Sequence, residues 1–147
     1  MATVSIGEWA KQTQERIDAV HKRSIELLAE EMIRTKPNGG RLPVDTGNLA
    51  RSQLASQTAM PKTAASGAQF GGSNVGAVVA TMDVTKPIYI GWQAVYSRRM
   101  NYGFVGADSL GRVYNQAGSY FLEGAIAQWP QLVAAAVADV KANSKTK

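Results

Sequence analysis

Asp45 sits in the run Val44-Asp45-Thr46-Gly47, where an apolar residue precedes a carboxylate, a hydroxyl and a glycine. Two such aspartates brought face to face share one proton, and the pair activates water for attack on a peptide carbonyl. The same residues also suit a tight turn, in which Asp45 or Thr46 accepts hydrogen bonds from the N–H groups opening a helix. Other chemistry is thinly supplied. Cysteine is absent, which excludes thiolate zinc sites, iron–sulfur clusters and cysteine nucleophiles. The single histidine, His21, is set among Lys22, Arg23 and Glu26 on a helix flank. It reads as a solvated surface residue rather than a base or ligand. Gly67, Gly71, Gly72 and Gly76 fit neither GxxxxGK(S/T) nor GxGxxG, so no nucleotide cradle is indicated. Glu30-Glu31 is the polar side of a helix, not a metal cage. No catalytic constellation, cofactor or metal site is expected.

The elements that must carry these residues follow from periodicity. Trp9, Ile17, Val20, Leu27, Leu28 and Met32 recur at three- and four-residue spacing, which predicts one long helix over 7–34 with Ser5 as its N-cap and Glu8 three positions on. Lys36-Pro37-Asn38-Gly39-Gly40 stops it. A turn around Pro43 and a short helix through Leu49 to Ser52 come next. Residues 53–75 include 17 of 23 that are Ala, Ser, Thr, Gly, Gln or Asn, with Lys62 the only charge, so this stretch is expected to be a mobile loop or an arm ordered on assembly. Alternation of Val78, Ala80, Met82 and Val84, then of Ile88, Ile90 and Trp92, predicts strands over 76–84 and 87–92 paired antiparallel. Residues 96–104 fit a third strand or a short helix, and Asp108-Ser109-Leu110-Gly111 is a turn. A C-terminal helix is predicted over 119–142, kinked or restarted at Pro130, with a frayed tail over 143–147.

At 147 residues and 45% hydrophobic, the chain is read as a single domain with its own core, needing neither disulfide nor metal. The expected class is α+β: the two long helices packed on one face of a small antiparallel sheet, with a long Ala/Ser/Gly-rich loop. Most aromatics lie in the second half, which locates the main core there. No segment has the run of roughly 18 apolar residues needed to span a membrane, and no secretory leader is recognisable, so a soluble protein staying in the cytoplasm where it is made is expected, with no membrane partner. The net charge of +5 is spread along the chain rather than gathered in a stripe. It permits a polyanion nearby without demanding one.

The triplet resembles the active site of the aspartic proteases, which retroviral-type enzymes assemble by dimerisation, and Ile88-Tyr89-Ile90-Gly91 resembles the apolar-apolar-Gly element of that family. That fold is almost wholly β, whereas here the triplet lies between predicted helices, and the turn reading is preferred. A dimeric protease using Asp45-Thr46-Gly47 is the remote alternative.

A longer match is more specific. Leu42-Pro43-Val44-Asp45-Thr46-Gly47-Asn48-Leu49-Ala50-Arg51-Ser52 resembles the T-P-V-D-T-G-x-L-R-x-S signature of head–tail connector proteins of tailed bacteriophages, variously called neck, minor tail or tail-completion proteins. Tyr96-Ser97-Arg98-Arg99-Met100-Asn101-Tyr102-Gly103 resembles that family's Tyr-Ala-x-x-x-Glu-x-Gly segment, with Asn101 where Glu is usual. Ser119-Tyr120-Phe121-Leu122-Glu123-Gly124-Ala125 is similar to its x-x-F-L-x-x-A. The resemblance implies a non-enzymatic virion component of the neck, assembled in the host cytoplasm. It would form a homo-oligomeric ring, sixfold or twelvefold, between the capsid portal or head-closure protein and the tail terminator or tail tube, leaving a channel for double-stranded DNA; a tail terminator or other minor tail protein is the alternative. Family-motif positions of structural importance would be Pro43, Val44, Asp45, Thr46, Gly47, Leu49, Ser52, Tyr96, Gly103 and Phe121. Arg98 and Arg99 are the candidates for facing a DNA channel without sequence preference, since sparse charge lets DNA slide where a dense basic lining would hold it.

Overall fold

A computed structural model describes residues 3–144 of the chain. Helix α1 (Ile6–Met32) opens as its sequence requires: the Ser5 hydroxyl accepts the Glu8 N–H at 3.1 Å. The helix gives way to a single 3-10 turn at Lys36–Asn38, closed by Gly39 at φ 82°. Leu42 then returns to α1's own exit in a parallel bridge to Thr35: its N–H donates to the Arg34 carbonyl and its carbonyl accepts from Lys36, and the side chain is wholly buried. Gly40 has no room for a side chain in this loop, since a Cβ would collide with the Arg34 carbonyl. Helix α2 (Asn48–Arg51) leads into strand β1 (Gln53–Ser56), helix α3 (Val75–Thr81) and strand β2 (Tyr89–Trp92). Helix α4 (Ser97–Tyr102) precedes the hairpin β3 (Gly103–Ala107) and β4 (Val113–Ala117), and helices α5 (Phe121–Ile126) and α6 (Trp129–Ser144) complete the chain.

The class is α+β with a long N-terminal and a C-terminal helix, and the strands form two separate two-stranded antiparallel sheets. β1 pairs with β2 in the register Gln53↔Trp92 to Ser56↔Tyr89, and β3 with β4 from Gly103↔Ala117 to Ala107↔Val113. The two long helices do not share a sheet face as expected. α6 packs chiefly along α1, antiparallel to it, as Gln128 bonding Glu31 and Arg23 bonding Asp139 at 2.8 Å require.

Where a strand over 76–84 is expected, residues 76–81 lie in helix α3 and 82–84 lead out of it. The run satisfies both periods, because Val78, Ala80, Met82 and Val84 alternate while Val75, Val79 and Met82 recur at helical spacing. The helical face is the buried one: Val75, Val79 and Met82 join Ile25 and Ala29 of α1 and Ala55 of β1 in one apolar cluster. The strand partner of β2 is therefore β1, formed by the first four residues of the stretch read as loop. The C-terminal helix is split, α6 restarting with Pro130 in its first turn, where the missing N–H costs nothing. Asn143 and Ser144 continue α6, the Ser144 hydroxyl donating to the Val140 carbonyl, so the frayed tail expected over 143–147 is not found at 143–144; residues 145–147 lie outside the described residues.

A second cluster holds Leu42, Leu49, Ala94 and Phe121, with Trp92 meeting Phe121 edge-to-face at 5.0 Å. The first cluster contains no aromatic residue, and Trp9, Tyr96, Tyr102, Tyr114, Tyr120 and Trp129 are exposed. Aromatic density thus marks surface as much as core.

Candidate functional site

The signature run is a buried anchor, an exposed tip and a second anchor. Leu42 and Leu49 lie in the second cluster, while Pro43 is half-buried and Val44, Asp45 and Thr46 stand in solvent. Gly47 takes φ 77° at the N-terminus of α2, and a Cβ there would press on the Arg51 guanidinium. That guanidinium spans the turn: Nη1 donates to the Thr46 carbonyl at 3.2 Å and Nε to the Phe70 carbonyl at 3.0 Å. Asp45 does not cap α2. The contact is made by Thr46, whose hydroxyl accepts the Asn48 N–H at 3.4 Å. Asp45 makes no side-chain hydrogen bond or ion pair among the described residues. Ser52 is wholly buried, its hydroxyl donating to the Leu49 carbonyl at 2.8 Å and its carbonyl accepting the Gln93 N–H.

Behind the tip, Asn48 does what its neighbours' reputation would assign to them. It is buried, donates to the Ala68 carbonyl at 2.9 Å and accepts the Phe70 N–H at 3.0 Å. It thereby pins residues 68–70 beside α2, with the Tyr96 hydroxyl at 3.5 Å. Residues 57–74 have no regular structure, yet side-chain amides tie them down at several points. Asn74 donates to the Ala55 carbonyl and accepts its N–H, Ser73 donates to Gln53, and buried Gln53 donates to the Ala29 carbonyl of α1. Backbone groups without a ladder need such partners when they are buried. The signal available in the sequence was the density of Asn, Gln and Ser without charge, which does not say which amide is buried.

The three segments carrying the resemblance meet. Phe121 packs with Leu49, Tyr96 borders the tip, and Asn101 is buried between α4 and α5. Asn101 donates to Glu123 at 2.7 Å and accepts the Leu122 N–H at 3.1 Å, so the carboxylate at this junction comes from Glu123. Burial pushes the Glu123 carboxyl up, but hydrogen bonds from Tyr102 and Asn101 outweigh it and hold it below its ordinary value. The Tyr102 hydroxyl is raised, by its hydrogen bond to Glu123 and by that carboxylate's charge. Gly103 and Gly118 lie where the chain passes close to itself: a Cβ on Gly103 would strike the Gln116 carbonyl and one on Gly118 the Asn101 carbonyl. Tyr120 enters α5 in the left-handed region at φ 49°, unlike any other non-glycine among the described residues.

A cleft of about 310 Å³ is lined by the turn from Pro43 to Leu49 together with Tyr96 and Met100. Among the described residues no cluster of three His, Asp or Glu could hold a metal ion, and no helix is long and apolar enough to cross a membrane. His21 is exposed. Arg98 and Arg99 are exposed on α4, and the Arg99 guanidinium lies 4.2 Å over the Phe104 ring. Ile88 and Ile90 pack on the first cluster, while the Asp45 turn projects from the second, so the two elements expected to support each other in a protease belong to different parts of the core. Comparisons with protein-family models, with curated proteins and with solved structures find no match.

Proposed function

We propose that the chain is a structural virion protein of a tailed bacteriophage, one subunit of a ring in the neck that joins the capsid portal or head-closure protein to the tail and leaves an axial channel for DNA. The observation that carries this reading is uncovered apolar surface on two projecting elements. Ile6, Trp9 and Ile17 stand exposed on the first turns of α1, and Val105, Leu110 and Val113 on the β3–β4 hairpin. Large apolar side chains gathered on protruding elements mark surfaces meant to be buried against protein. A protein whose work is to close a joint derives its function from such burial rather than from a reacting group, and two unlike patches on one chain suit a contact repeated by rotation. The exposed Val44-Asp45-Thr46 tip is then a docking element toward the portal or the tail, and Arg98 and Arg99 face the DNA passage.

Light scattering with negative-stain electron microscopy of the purified protein tests the reading. The expected result is a ring of six or twelve subunits appearing with concentration; a monomer at every concentration would sink it. Asp45→Asn separates the ring from a protease. With Asp45 exposed and unbonded, the unfolding free energy should change by no more than about 0.5 kcal/mol, the range typical of surface substitutions. A peptidase activity abolished by this substitution would favour the protease.

A further inference from the structure

We propose that the outer face of the β3–β4 hairpin seats on the apolar stripe at the start of α1 of a second copy, in a head-to-tail contact. The register places Gly103, Val105, Ala107, Val113, Asn115 and Ala117 on one face of the hairpin, because cross-strand partners and alternate residues share a side. The opposite face is backed from within the chain: Phe104 lies against Arg99 and Tyr114, and Gln116 reaches Met100. No described residue covers the outer face, with Val105 78% and Val113 82% exposed and Leu110 at the tip 76% exposed. A two-stranded sheet is marginal in water unless something packs on it.

The stripe on α1 is the other half. Ile6, Trp9, Thr13 and Ile17 recur at three- and four-residue spacing, and the same side of the helix is covered further along, where Ser24 is buried. Among the described residues the cover stops over the first turns. With 27 residues in α1 and 16 in α6, α1 is about 40 Å long and α6 about 24 Å at 1.5 Å per residue. Because α6 runs antiparallel and ends beside Gln12 and Arg16, the first turns of α1 overhang it. Ile6 is 86% and Trp9 62% exposed there.

The two surfaces fit in charge and in shape. Neither carries an ionised side chain, and Asp108 and Arg112 at the hairpin end neutralise each other at 2.6 Å. One is a sheet face on which Val105 and Val113 stand among Gly103, Ala107 and Ala117; the other is a helix stripe carrying Ile6, Trp9 and Ile17. Seven exposed apolar side chains, counting Val4, supply roughly 600 Å², at 60–120 Å² for each fully buried aliphatic group and more for tryptophan. Since a little over half of an interface is apolar, the total comes to roughly 1,000 Å², the lower bound of a specific contact. Pairing like with like would cover one patch and leave the other wet, whereas a head-to-tail contact covers both and repeats around an axis. The contact deepens the ring reading and rests on it.

The absence of cysteine makes the test free of background. Ala10→Cys on the α1 stripe and Ala107→Cys on the hairpin face keep every large apolar side chain in place. Mixed and treated with a short bis-maleimide, the two variants should give a cross-linked dimer that neither gives alone, and the double variant should give a ladder of multimers. Trp9→Asp in the double variant should lower the cross-linked yield at least tenfold with an unchanged circular dichroism spectrum. Self-cross-linking of either single variant at comparable yield, or multimers by light scattering with no 10–107 cross-link, overturns the contact while leaving a ring intact. A monomer at all concentrations, with no cross-link, overturns the contact and the ring together.

Discussion

Asn48 shows how one side chain can do the work of a missing secondary structure. Its amide closes residues 68–70 onto α2 by donating to one carbonyl and accepting one N–H. Asn48→Ala strands both backbone groups at a buried site, which costs about 1–3 kcal/mol. Differential scanning calorimetry should show a lower melting temperature, and amide exchange should quicken at Phe70 before it does in α1. A uniform change across the chain would assign Asn48 to the global core instead. The residue was invisible as a site in the sequence because it occupies the variable position of the signature, between a glycine and a leucine that draw attention. Asp45 is the converse case: the residue with the most suggestive chemistry is exposed and bonds to nothing among the described residues. Type and spacing report what a side chain can do, and burial decides whether it is placed to do it.

At the scale of elements, the β3–β4 hairpin has a turn built to be pH-sensitive. Asp108 accepts the Leu110 and Arg112 N–H groups, each at 2.9 Å, the Arg112 guanidinium at 2.6 Å and the Tyr114 hydroxyl at 3.3 Å. Burial opposes its charge, but these bonds outweigh that and hold the carboxyl below its ordinary value. A depressed carboxylate stabilises the fold above the unfolded pKa of about 3.9, and that contribution is lost as pH falls through the lower folded value. The hairpin amides should therefore lose protection, measured against their intrinsic exchange rates, below about pH 4, whereas Asp108→Asn should remove most of that pH step. A step unchanged in the variant would assign it to another carboxylate. Helix α3 illustrates why element type can escape sequence reading. Short apolar runs carry both periods at once, and only the position of α1 and β1 makes the helical face of 75–82 the one worth burying.

At the scale of the molecule, the antiparallel α1–α6 pair joins the two ends of the chain. Arg23 sits among Glu26, Glu30 and Asp139, and its guanidinium is raised above its ordinary value, chiefly by the hydrogen bond to Asp139 and against the opposing effect of burial. Such half-exposed pairs set direction more than stability. Packing carries the energy: Ala136 of α6, between the contacts made by Gln128 just before the helix and by Asp139 on it, is wholly buried. Ala136→Leu should overpack this seam and cost about 1–3 kcal/mol, read as a fall of several degrees in melting temperature. An unchanged transition would mean that α6 can shift along α1. By itself the sequence determined what local forces decide: the cap and long run of α1, its end ahead of the Lys36–Gly40 run, the turn at Asp108, the restart at Pro130 and the α+β class. It did not determine that 75–81 is a helix, that β1 is the partner of β2, that amides hold 57–74, or that Ile6, Trp9, Val105 and Val113 are left uncovered. Those outcomes depend on which apolar faces meet across distant parts of the chain, and a pattern of residues states that a face exists without stating what lies opposite it.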